Sequence, residues 1–264
     1  MPRTRRRRHE LLVQHRAAGA RLGRDTDRGR TLSRLLELAA DARTVLVGPS
    51  TPFAPEVYRA SGPYPYRGVG TAEEILYILG ILLHPGSADL PFPLVLTGPK
   101  SCEDYFRQID HFIGETLGVE AQRRYKIIID NPDRVARELK TGLQFVRDFR
   151  KEKHDAYNFN WSLKIDSEFQ QRFRPTHEAM RGLDLHKNQP AHQLAANLRR
   201  AFSGLVAGNV KAEGIREIEK HGKFEIHGDP AILAPMDALL AAFATQGRMK
   251  LSGKAYTPCY RIVT

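Results

Sequence analysis

Glu73 and Glu74 are adjacent carboxylates in the stretch RGVGTAEEILYILG, Arg67 to Gly80, which reads as the entry to a helix. Gly68 and Gly70 let backbone approach a ligand closely, Thr71 adds a hydroxyl, and the free amides of a helix start favour an anion. A phosphate suits that place. Glu74, one turn inside, would then face whatever the phosphate carries, hydrogen-bonding a sugar hydroxyl or acting as acid or base. The same letters also spell a capping box, Thr71-x-x-Glu74, worth ~1 kcal/mol to the helix with no function attached. No Gly-Lys-Ser/Thr follows, so this is not a P-loop. Glu73 lies about 100 degrees around the helix from Glu74 and is expected to be solvated.

The elements that would position these residues follow in a regular order. Thr71 to Leu83 has helical character, and FPLVLTG (Phe92 to Gly98) is a short apolar run bounded by turn signals, as in a buried parallel strand. In SCEDYFRQIDHFIGETLG, Ser101 is placed to cap a helix and Gly118 to end it. YKIIID (Tyr125 to Asp130) reads as a second buried strand, and the next helix opens with Asn131 as cap and Pro132 at its first position. This alternation predicts an α/β fold, an incomplete Rossmann-like parallel sheet with flanking helices. Beyond about residue 150 a polar, irregular stretch gives way to helices near 190–205, 212–221 and 230–247, with strands at KFEIHG and CYRIVT. That part reads as a helix-rich α+β carboxy-terminal region.

Residues 1–67 differ in kind. They hold 14 arginines, no lysine and 6 acidic residues, so this leader carries +8 of the formal net charge of +11. Only LSRLLELAADA (Leu32 to Ala42) and TVLVG (Thr44 to Gly48) look ordered; the rest reads as loop or disorder, since so little apolar surface does not offset chain entropy. The leader gives RTRRRR an affinity for phosphate chains, but it lacks aromatic interleaving before Phe53 and any helix-turn-helix or zinc pattern, so nucleic acid is not the expected partner. Two distant cysteines and ten histidines without a paired-ligand motif predict neither disulfide nor metal. No run approaches the ~20 apolar residues of a membrane span, and no secretory segment follows the arginines, which makes the expected location cytoplasmic.

GVGTAEE with its apolar helix, followed by FPLVLTGPKSCEDYFRQIDHF, resembles the Pro-Gly-Gly-x-Gly-Thr-x-x-Glu signature of the lonely guy nucleotide phosphoribohydrolases, whose older label is "possible lysine decarboxylase". YKIIIDNPDRVARELK, DAYNFNWSLKI, NLRRAFSGLVAGNVKAEGIREIEKHG and RMKLSGKAYTPCYRI together resemble the carboxy-terminal part of the bacterial pyrimidine/purine nucleotide 5′-monophosphate nucleosidases. The resemblance runs from about Gly68 to the end. It implies three parts: a non-matching leader (1–67), half of a nucleotide-binding α/β domain (68–150) and the nucleosidase carboxy-terminal domain (151–264).

What it implies for activity is hydrolysis of the N-glycosidic bond of a nucleoside 5′-monophosphate to free base and ribose 5-phosphate, without cofactor. Gly68, Val69, Gly70 and Thr71 would cradle the phosphate, and Glu74 would be the catalytic carboxylate, stabilising an oxocarbenium-like state or directing water. Arg67 and Glu73 are lesser candidates. Lys100, in TGPKS, is a strand-end or substrate-edge charge rather than a Schiff-base lysine, and none stands near the glycine motif to hold pyridoxal phosphate. The resemblance also implies a homo-oligomer with a guanosine alarmone as effector. Tyr66 and Arg67 replace the signature's opening Pro-Gly, and the family's upstream half-sheet, with its glycine loop and arginine, finds no match in the leader. A truncated or frame-shifted start, an exposed sheet edge and little activity of this chain alone are the matching expectations. A non-catalytic nucleotide-binding or oligomerising module is the alternative.

Overall fold

The computed structural model describes residues 45–47, 69–154, 165, 173–249 and 256–263. The helix expected at Leu32 to Ala42, together with Arg67 and Gly68, lies outside them. The chain forms two compact units interleaved in sequence.

The first unit is a parallel sheet with one long helix. Strands β1 (Val45–Val47), β2 (Leu94–Gly98) and β3 (Lys126–Ile129) lie in the order β1-β2-β3, with Val45 opposite Leu94 and Val95 opposite Lys126. Val45–Val47 of the leader thus join the sheet. Leu94, Val95 and Leu96 are buried in the central strand, where β-branched and large apolar residues pack on both faces. In β3 only Ile128 is buried, and Ile127 and Ile129 are half-covered. The expectation of a wholly buried second strand is corrected here: β3 borders the described sheet, with a neighbour on one side alone.

Helix α4 (Pro132–Glu152) starts as its sequence predicts, with Pro132 in the first turn and the Asn131 side chain accepting from the Arg134 amide at 2.9 Å. Its Val135 and Leu139 close a small core over Val95 and Ile128. Gly142 brings the helix onto the sheet entry; a Cβ there would stand 2.6 Å from the Pro93 side chain. A short 3-10 turn, Lys100–Cys102, follows β2 and takes in Ser101, so Ser101 lies inside this turn and not at the cap of the next helix.

The second unit is mostly helical. It holds α1 (Val69–Leu82), α2 (Glu103–Leu117, from its second residue), the single turn α3 (Val119–Gln122), α5 (His177–Arg181), α6 (Ala191–Val210), α7 (Ala212–His221) and α8 (Pro230–Thr245). Strands β4 (Phe224–Ile226) and β5 (Tyr260–Ile262) pair in parallel within it. The chain leaves α2 through Gly118, whose φ of 85 degrees is the left-handed conformation glycine adopts without penalty.

The centre of this unit is α1 against α6. Ile75 and Leu79 on α1, and Leu198, Phe202 and Leu205 on α6, are wholly buried, each contributing ~1.5–3 kcal/mol by leaving water. Rings extend the core: Phe112 of α2 meets Phe202 edge-on at 5.7 Å, and Tyr105 stacks on Phe243 of α8 at 5.1 Å. Gly208 admits β5, since a Cβ there would lie 2.7 Å from the Cys259 sulfur. No helix among the described residues is long and apolar enough to cross a membrane.

Candidate active site

Helix α1 begins at Val69, two residues before the expected cap. Thr71 therefore sits in the first turn, buried, and the capping-box register with Thr71 as cap is corrected on that point. The described helix opens at Val69, and the first amides of a helix have no intrahelical acceptor. Gly70 is exposed, and a Cβ built on it meets nothing within 4 Å. Among the described residues, packing thus leaves open space at Gly70, beside a helix start whose dipole favours negative charge.

The two carboxylates part company one turn in. Glu74 is exposed. Glu73, expected to be solvated, is turned toward α6 and keeps a quarter of its side-chain surface. Its Oε1 lies 4.0 Å from Nε of Arg199, an ion pair at the outer limit of contact, and the Ser203 hydroxyl donates to it. The Arg199 guanidinium also lies 5.1 Å over the ring of Tyr77, one turn further along α1. Burial pushes the Glu73 carboxyl above its ordinary 4.5, and Arg199, Ser203 and Lys211 pull against that shift without cancelling it.

Arg199 and Ser203 were not singled out by sequence reasoning. The signal available was their spacing: four residues apart, they share one face of a helix that is otherwise apolar along its core side.

Lys100 belongs to the sheet unit, in the turn after β2. It is exposed and paired with Glu103 at 2.5 Å, three residues on. This turn and Asp130 stand at the carboxyl ends of β2 and β3, where open parallel sheets take ligands, and the Asp130 amide donates to Gly98 O at 2.9 Å. Among the described residues, no group of three or more His, Cys, Asp or Glu side chains is arranged to hold a metal ion.

With this geometry in place, similarity to known proteins becomes informative. Residues 67–139 match the family described as "Possible lysine decarboxylase", and residues 143–263 match the carboxy-terminal domain of pyrimidine/purine nucleotide monophosphate nucleosidase. The pyrimidine/purine nucleotide 5′-monophosphate nucleosidase of Escherichia coli strain K12 is 54% identical over 197 residues. Those of the O6:H1 and O157:H7 strains match to the same degree. Three quarters of this chain is nucleosidase-like in sequence. The match covers 75% of this chain but only 43% of each relative, so it spans less than half the length of these nucleosidases. A third family model, described for heavy-metal chelation, matches residues 29–63, a segment with neither Cys nor His.

Both parts of the nucleosidase-like sequence meet at the candidate site. The matched segment that begins at residue 67 supplies α1 with Gly70, Thr71, Glu73 and Glu74. The one that begins at residue 143 supplies α6 with Arg199 and Ser203.

Proposed function

We propose that the chain binds a nucleoside 5′-monophosphate at the start of α1 and belongs to a hydrolase that cleaves its N-glycosidic bond with water. The observation that carries this is the first turn of α1, where exposed Gly70 and Glu74 flank buried Thr71 within a segment matching nucleosidases. In this reading Gly68, Val69, Gly70 and Thr71 hold the 5′-phosphate, helped by the dipole of the helix start, and Arg67 is a lesser candidate. The Glu74 carboxylate faces the ribose. As the C1′–N bond breaks, its electron pair leaves with the base, and positive charge develops on the ring. Glu74 stabilises that charge and accepts a proton from the water whose oxygen joins C1′; the base takes up a proton, leaving ribose 5-phosphate. Lys100 serves at most as a charge at the sheet edge, and no cofactor takes part.

In this reading residues 68–150 are the nucleotide-binding part and 151–264 the accessory domain, active in the cytoplasm as a homo-oligomer that responds to a guanosine alarmone. Sedimentation with and without alarmone tests the assembly: a monomer in both conditions would refute it.

A second reading is a nucleotide-binding module without turnover. Calorimetry with GMP run beside chromatography of released base separates the two. Heat of binding without free guanine supports the module; guanine release that is lost in Glu74→Gln supports the hydrolase.

A further inference from the structure

Within the helical unit, α1 and α6 run in opposite directions: Glu73 meets Arg199 and Ser203 near the start of α1, while His84 meets His192 edge-on, ring centres 5.0 Å apart, at its far end. Between these contacts α1 buries Ile75 and Leu79, and α6 buries Leu198, Phe202 and Leu205. A half-buried carboxylate is therefore held from the facing helix by an arginine and a hydroxyl, with that arginine anchored in turn on the Tyr77 ring. Lys211, just past the end of α6, is the remaining charge that bears on it.

We propose that Glu73 is a positioning residue: clamped by Arg199 and Ser203, it fixes the rotation of α1 about its axis, and with it the direction in which Glu74 faces a bound nucleotide. This rests on the nucleotide site proposed above. An apolar seam alone sets this angle poorly, because burial is non-directional, whereas an ion pair with a hydrogen bond selects one azimuth. Adjacent residues on a helix are separated by about 100 degrees, so a turn of α1 that carried Glu73 away from Arg199 would swing Glu74 by the same angle. The clamp is thus the device by which the segment matching the carboxy-terminal domain holds the helix bearing the catalytic carboxylate.

The test uses the full chain and Arg199→Gln, a change remote in sequence from α1, with Glu73→Gln as a second variant. Amide resonances of Gly70 to Glu74 are recorded without ligand, and AMP affinity is measured by calorimetry. The expected result is a single set of resonances in the parent, broadened or doubled sets in both variants with cooperative melting retained, and AMP binding weakened on the order of tenfold. The double variant should lose no more than either single one, because the two residues act as a pair. Arg199→Lys should recover part of the affinity. Unaltered single resonances in both variants overturn the clamp, as does a loss that falls evenly on α6 and α8 with the melting temperature, which marks an ordinary structural pair. Failure of the parent to bind AMP overturns the nucleotide site instead, and the resonances still decide the clamp.

Discussion

Two neighbouring glutamates on one helix meet different environments, and the difference follows from which side of α1 each occupies. Glu74 is exposed, whereas Glu73 is drawn under α6. Because burial raises the Glu73 carboxyl above 4.5, its favourable contribution to stability is present below that pH and is lost as pH rises through its folded value. Glu73→Gln should therefore melt no lower than the parent at neutral pH, with the difference growing in its favour as pH rises from 4.5. A variant that melts lower at pH 7 than at pH 4.5, relative to the parent, would contradict this. Cys259 gives a second prediction at this scale. Its thiol is buried, donates toward Leu205 O, accepts from Asn209 at 2.9 Å, and is pushed up to about 12 by burial. Thiolate is the reactive form, so Cys259 in the folded protein should resist iodoacetamide at pH 7.5, and unfolding should release it. Rapid labelling of the native chain, read by mass spectrometry, would refute that.

The helices show how far local sequence grammar reached. Asn131 with Pro132 fixed the start of α4, and Gly118 the end of α2, because those residue types act through their own backbone and side chain. The helix expected near 212–221 is found at Ala212–His221, between the Lys211 extended link and Gly222. Glu73 was misread because its burial depends on α6, some 120 residues away, and nothing within its own helix reports that. The same holds for β3: KIII has the letters of a buried strand, and its half-exposure comes from its place at the border of the described sheet. Leu139, wholly buried between α4 and the sheet, tests that assembly: Leu139→Ala should cost about 2–5 kcal/mol by chemical denaturation. A cost below about 1 kcal/mol would mean that α4 is not seated there.

At the scale of the molecule, the site is assembled from segments distant in sequence. Helix α1 packs with α6 in one unit, while β2 and β3, which flank α2 in sequence, build the other with α4 and with β1 from the arginine-rich leader. The alternation of strands and helices was legible; the grouping of α1 with the carboxy-terminal helices was not, because periodicity shows that a face is buried without naming its partner. In the sequence, most of the net +11 lies in the first 67 residues, ahead of α1. The central claim is that the start of α1 is a nucleotide site whose Glu74 promotes glycosidic cleavage. Incubating the purified chain with AMP and GMP and quantifying free adenine and guanine by chromatography, beside Glu74→Gln, tests it most directly. The account predicts base release that falls by at least about a hundredfold in the variant. Equal release from both proteins would contradict it.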